Sequence, residues 1–268
     1  MARRGAGRDR QQGRAVAATA WQAQAGWYDE RHGERGDDLH AQVVVPAVLR
    51  RLALRPGQRV LDCCCGTGVI ARALALQGAA VVGVDAAEAL LTAARQRAGE
   101  HERYLLGDAG DLRPVLAGER FDHACIVLAL QDLDPIEPVL AGIAAHLPVG
   151  GRLVIVLVHP CFRPLRQSRW GWDEGDGIRY RRIDAYAQDY RVQVQTHPSQ
   201  GRASPTSTAF HRPLSTYVNA LGSAGFGLVA LDEPLSPRRG SPGKRQAAED
   251  RSQREIPVFA VLTAQRLG

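Results

Sequence analysis

Three aspartates recur at an interval that a folded sheet can turn into one site. Asp62, Asp85 and Asp108 are 23 residues apart each time, the length of a strand, a crossover helix and the next strand, so all three arrive on the same sheet edge. Asp62 follows the apolar pair Val60-Leu61 and precedes Gly66-Thr67-Gly68. Glycines there give a turn without Cβ atoms, so a ligand can approach backbone N–H groups at the start of a helix. The pattern Gly66-x-Gly68-x-x-Ala71 also fits a relaxed dinucleotide fingerprint, with Asp85 near the ribose-binding distance. Charge separates the two readings. A carboxylate at position 62 opposes a pyrophosphate and suits a ligand carrying an ammonium and a sulfonium.

The residues Val60-Leu-Asp-Cys-Cys-Cys-Gly-Thr-Gly68 resemble the first motif of the class I S-adenosylmethionine-dependent methyltransferases. Val81-Val-Gly-Val-Asp85 is similar to that family's second strand, Tyr104-Leu-Leu-Gly-Asp108-Ala109 to its third, and Phe121 to Leu128 to its fourth. Leu147-Pro-Val-Gly-Gly-Arg-Leu-Val154 is similar to the turn into the fifth. The resemblance implies S-adenosyl-L-methionine as cofactor. Asp62, Cys64 and Gly66 would hold its amino-acid end, Asp85 and Ala86 the ribose, Asp108 and Ala109 the adenine, and Leu128 would close the wall after the fourth strand. Cys64 stands where the family usually has a glycine. The series Trp21 to Asp29 resembles the N-terminal lid of small-molecule methyltransferases, in which a tyrosine, here Tyr28, covers the methyl-bearing end. An aromatic face beside a sulfonium is favourable.

These residues need a frame, and the apolar periodicity supplies it. Strands over 80–84, 103–106, 121–128 and 151–158 alternate with helical stretches, and the last two strands are continuous apolar runs as expected of central strands. The expectation is an α/β fold: a doubly wound, mostly parallel seven-stranded sheet with helices on both faces. A reversed C-terminal strand pair is expected from 226–231 and 256–264, with a basic mobile loop over 236–254. Residues 15–56 should form a helical lid. Asp134 is a plausible N-cap for a helix starting at Pro135.

The connection over 159–211 is too long for an ordinary loop and is rich in aromatic residues, which marks it as a cap over the acceptor. His159 and His211 stand at its two ends and are the candidate bases for the proton lost on methylation. Gln131 and Asp132, in the turn after the fourth strand, fall where the resembling family faces the transferred methyl; a solvated-loop role is the other reading of both.

Composition narrows the partners. The net charge is +6, yet residues 1–14 alone carry five Arg against one Asp, and residues 238–254 carry six basic residues against two acids. The basic character belongs to a disordered tail and a loop rather than to a face with interleaved aromatics, which argues against nucleic acid as substrate. The expected partner is a small-molecule acceptor methylated at O, N or C. A nucleic-acid methyltransferase, a nicotinamide-dependent reductase and a non-catalytic cofactor-binding regulator are the rivals. The only lysine is Lys244, so the tyrosine–lysine pair of short-chain reductases cannot be built. No apolar run is long enough for a membrane span, and no signal peptide is evident, so a cytoplasmic protein is expected. The five cysteines lack zinc-ligand spacing, and no metal is expected.

Overall fold

The computed structural model describes residues 20–195 and 206–268. The expected basic tail over 1–14 and part of the cap lie outside the described residues. The chain enters through α1 (Ala20–His32), a π-helical turn (His40–Val44) and α2 (Val45–Leu52). It then alternates β1 (Arg59–Cys63), α3 (Val69–Ala75), β2 (Ala80–Asp85), α4 (Glu88–Gln96), β3 (Glu102–Leu106), α5 (Leu112–Leu116), β4 (His123–Val127), α6 (Glu137–His146) and β5 (Arg152–Val158).

The cap adds two hairpins, β6 (Ser168–Asp173) with β7 (Ile178–Ile183), and β8 (Tyr190–Gln195) with β9 (Thr206–His211). After it come α7 (Leu214–Ser223), β10 (Phe226–Asp232), α8 (Gln246–Glu255) and β11 (Phe259–Arg266). Seven strands form one sheet in the order β10-β11-β5-β4-β1-β2-β3. The run from β5 to β3 is parallel, and β11 is antiparallel to both neighbours. This is the expected doubly wound sheet with its reversed last pair.

Period-two alternation assigns the faces of the central strands. Leu61, Val82, Ile126, Ile155 and Leu157 pack against α5, α6 and α7 through Leu112, Leu116, Leu140, Ile143 and Leu221. Val60, Val81, Cys125, Val154 and Val156 pack on the other side against α2, α3 and α4 through Val48, Leu52, Ile70, Leu74 and Leu91. A sheet covered on both faces exposes its strand ends, which is where ligands bind in such folds. Among the described residues no helix is long and apolar enough to cross a membrane.

Two expectations need correction. The 236–254 stretch is not a continuous loop, because α8 occupies its second half. Asp250 and Glu249 accept the backbone N–H groups of Gly240 and Ser241 at 2.7 and 2.8 Å, folding the basic segment back on its own acids. Asp134 does not cap α6, which begins at Glu137 with no side-chain cap; its Oδ1 accepts a hydrogen bond from Arg212 Nη2 at 2.7 Å. A long-range guanidinium outbids a local cap here.

Candidate functional site

The backbone at the C-terminal end of β1 turns through the left-handed region three times, at Cys64 (φ 61°), Gly66 (φ 54°) and Gly68 (φ 78°). Glycine accepts this freely. Cys64 does so at a cost of roughly 1–2 kcal/mol. Leu128, at the end of β4, is held the same way at φ 53°. Of the six non-glycine residues held at positive φ among the described residues, these two line the principal cavity, where backbone strain commonly accompanies function. Gly68 has no alternative, since a Cβ there would lie 2.4 Å from the Tyr104 hydroxyl oxygen.

That cavity measures about 390 Å³ and opens at the ends of β1, β2, β3 and β4. Tyr28, Cys64, Gly66, Asp85, Ala86, Asp108, Ala109 and Leu128 all line it. Asp62 lies one step deeper, in a smaller adjoining cavity shared with Tyr28, Cys64 and Gly66. The nine residues expected to hold the cofactor are thus gathered in one place.

Each carboxylate has a distinct environment. Asp62 is 1% exposed, its Oδ1 accepts the Cys125 thiol at 3.5 Å, and its Oδ2 has no partner. Burial pushes its carboxyl up to about 7, and the nearby charge of Asp85 adds to this. A buried acceptor left unpaired is costly, so the position asks for a donor, and an ammonium group answers both the hydrogen bond and the charge. Asp85 Oδ2 accepts the Gly66 N–H and Oδ1 accepts the Ala87 N–H, each at 2.9 Å. It therefore ties the glycine turn to the start of α4 and keeps further lone pairs at the cavity wall. Burial raises its carboxyl while these two N–H donors draw it back. Asp108 is exposed at the rim, with Oδ1 accepting Gly110 N–H at 2.8 Å.

The lid closes over this turn. Tyr28 stacks on His32 with centroids 4.0 Å apart and meets Trp21 edge-on at 5.6 Å. A Cβ built on Gly66 would touch the Tyr28 ring at 3.8 Å, so the ring rests on the turn itself. Burial, then Asp85, raises the Tyr28 phenol far above its ordinary value and keeps it protonated.

The two histidines expected as bases are not brought into the cavity. His159 is fully buried; its Nδ1 accepts the Cys161 N–H at 3.2 Å, which leaves Nε2 to donate to Glu233 Oε1 at 2.8 Å. Neither nitrogen is free. His211 donates from Nε2 to the Tyr186 carbonyl at 2.8 Å and stacks on Tyr190 at 4.7 Å, facing a separate small cavity. His159 ties the start of the cap to Glu233 beyond β10, and His211 holds the end of the cap to its own Tyr186 and Tyr190. Structural partners, a carboxylate for His159 and a backbone carbonyl for His211, occupy the ring nitrogens at both positions.

Two residues with a place at the site carried weaker signals. Asp132, in the helical turn after β4, lines the principal cavity together with Ser207 and Thr208 of β9. Burial pushes its carboxyl up to about 7. His40 lines the Asp62 cavity, with Nδ1 hydrogen-bonded to Asp37 Oδ1 at 2.8 Å. Gly36 permits this approach, since a Cβ there would fall 2.3 Å from that of His40. No metal was expected, yet His32, Asp37 and His40 place one donor atom each within 4.8 Å of one another. His40 opens the π-helical turn, and Asp37 Oδ1 accepts its backbone N–H at 2.9 Å.

The sheet order, the glycine turn and the strand-end acids define a doubly wound nucleoside-binding fold with an acid-lined mouth. Comparison with known proteins agrees. Residues 61–155 match the model of a methyltransferase domain family. A demethylmenaquinone methyltransferase of Clavibacter sepedonicus is 34% identical over 218 residues, covering 75% of this chain and 83% of the relative. An uncharacterized methyltransferase of Synechocystis is 37% identical over 124 residues (46% of this chain), and a 2-phytyl-1,4-naphtoquinone methyltransferase of Synechococcus elongatus is 36% identical over 122 residues (42% of this chain). The chain spans about half the length of these last two, 54% and 51%. Among solved structures, an S-adenosylmethionine-dependent methyltransferase from Mesorhizobium loti superposes with a TM-score of 0.64 at 25% identity, covering 82% of this chain and 96% of that one. The chain belongs to the class I S-adenosylmethionine-dependent methyltransferases.

Proposed function

We propose that this protein transfers the methyl group of S-adenosylmethionine to a small organic acceptor, and that Asp132 receives the proton the acceptor gives up. The observation that carries the cofactor half is the unpartnered, buried Oδ2 of Asp62 beside the glycine turn. S-adenosylmethionine, when bound, supplies an electrophilic methyl on a sulfonium. Asp62 would hold the ammonium, Asp85 the ribose hydroxyls, and Asp108 with Ala109 the adenine edge, while Tyr28 covers the opening and excludes water. Methyl transfer needs no covalent protein intermediate, so alignment in a dry pocket carries much of the rate.

The acceptor half rests on Asp132. It is the cavity carboxylate not needed for the nucleoside, and its raised value matches a base working near neutral pH. A phenol, an enol or an amine could each yield its proton there. The relatives named for quinones make a naphthoquinol a natural member of the acceptor panel. The test is transfer of a deuterated methyl from labelled cofactor to phenols, amines and naphthoquinols, read by mass spectrometry for the wild type and for Asp132→Asn. Labelled product from the wild type with loss in the variant supports the reading. Equal labelling by both removes Asp132 from it, and no labelled product across the panel counts against the transfer itself.

A further inference from the structure

A third, smaller cavity shares the turn after β4 with the principal one. Residues Leu128, Ala129, Asp132 and Leu133 of that turn face the principal cavity, whereas Gln131 faces the other, together with Arg163, Arg212 and His211. Its remaining wall is mostly apolar, with Val158, Leu165 and Phe210, and adds the Tyr217 phenol beside Arg212. Two guanidiniums in an apolar, half-closed space are expensive unless each has an anion.

The counter-charges are incomplete. Arg212 is 6% exposed; Nη2 donates to Asp134 Oδ1 at 2.7 Å and to the Leu133 carbonyl at 2.9 Å, but Nη1 is buried and has no acceptor. Arg163 has no carboxylate partner among the described residues, only the Pro257 carbonyl at 3.4 Å from Nε. It shares the Trp170 ring with two more cations: the Arg163, Arg179 and Arg181 guanidinium carbons lie 5.9, 4.2 and 5.1 Å from the ring centroid. The nearest relief for this group is Glu249, 3.9 Å from Arg179. Burial first, and then the positive charge of Arg181, Arg179 and Arg238, push the Arg163 guanidinium down to about 10. The Gln131 Oε1, also buried and unpaired, is an acceptor that needs a donor.

We propose that this cavity is an oxyanion subsite, formed by Arg163 and the free Nη1 of Arg212, which takes the carboxylate or phosphate end of an aromatic acceptor. The proposal rests on the methyl-transfer reading above, and it narrows the acceptor to an acid rather than a neutral ring. A hydroxyl or N–H on the same ligand completes it by donating to Gln131 Oε1. Planar forks suit such anions because two N–H groups meet two oxygens.

The test is calorimetric titration of the full chain with 3-hydroxybenzoate and with its neutral twin 3-hydroxybenzamide, with and without S-adenosylhomocysteine. A parallel melting series compares inorganic phosphate with chloride at equal ionic strength. The acid is expected to bind at least about tenfold tighter than the amide, a difference that one charge-assisted bond supplies. Arg163→Gln should abolish that preference. Arg212→Gln should do the same, and because it also breaks the Asp134 pair, Arg163→Gln is the variant that decides if Arg212→Gln does not fold. Phosphate should raise the melting temperature of the wild type and not of Arg163→Gln; whether acid or phosphate has the larger effect assigns the headgroup. Equal binding of acid and amide, a preference that survives Arg163→Gln, or no binding of any anion overturns the subsite. Failure to bind S-adenosylhomocysteine while the acid preference persists would sink the methyl-transfer reading and leave the anion site standing.

Discussion

The edge of the sheet and the cap over it are built on different principles. At the edge, a side chain's task follows from where a strand stops: Asp62 ends buried with an open lone pair, Asp85 ends half-buried holding two N–H groups, and Asp108 ends exposed. In the cap, tasks follow from partners far away in sequence. Arg163 reaches the Pro257 carbonyl, His159 reaches Glu233, and Tyr190 reaches the Leu165 carbonyl. Strand-end geometry is repeated by every crossover and can be read in advance. Cap geometry is set once, by whatever it must cover.

Breaking the two regions separately sharpens this contrast. The largest effect should come from the turn where they meet. Asp132→Asn is expected to lower kcat by about 10²–10³, within the range for loss of a general base, with S-adenosylhomocysteine affinity unchanged. Stopped assays of turnover beside calorimetry separate these two quantities. The pH profile gives a second view. Burial raises the Asp132 carboxyl to about 7, so the base form is lost as pH falls through that value. Wild-type kcat should decline below pH 7, and that limb should be missing in the variant.

At the sheet edge, Asp85→Ala removes two backbone ties and, on the proposed reading, the ribose acceptor with them. Cofactor affinity should weaken on the order of 10- to 100-fold, about 1–3 kcal/mol, with intact folding by circular dichroism. A smaller, purely structural effect is expected at Gly68→Ala. The residue would need φ near 78° and a Cβ 2.4 Å from the Tyr104 oxygen, so stability should drop by on the order of 2 kcal/mol, read as a melting shift of several degrees. The smallest catalytic effect belongs to the start of the cap. His159→Gln should keep kcat within about twofold at neutral pH while lowering the melting temperature, since its ring bonds to Glu233 and the Cys161 N–H rather than facing either cavity.

The sequence showed the sheet edge because its signals are local. A strand, a turn and an acid lie within ten residues, and the equal spacing of Asp62, Asp85 and Asp108 repeats that unit. In the cap, the alternation of Arg191, Val192, Gln193 and Val194 is a strand signal for β8, but its pairing with β9 is not written in that stretch. The sequence did not give the hairpin of β6 and β7, where Trp170 packs under Arg179 and Arg181 and Trp172 under Arg245 in place of a continuous apolar stripe. Nor did it give the role of His40, whose position depends on a π-helical turn without a periodic signature. The helix over 246–255 was hidden by its polarity, because it is anchored through Ser252 and its acids instead of an apolar stripe.

The whole account turns on what the mouth beside β1 accepts. Titrating the purified protein with S-adenosylhomocysteine and with NADH, for the wild type and Asp62→Asn, tests that most directly. Micromolar binding of the former, weakened at least about tenfold by Asp62→Asn through loss of the ammonium's partner, together with no uptake of NADH, is the expected result. Tight binding of NADH, or S-adenosylhomocysteine binding indifferent to Asp62, would contradict it.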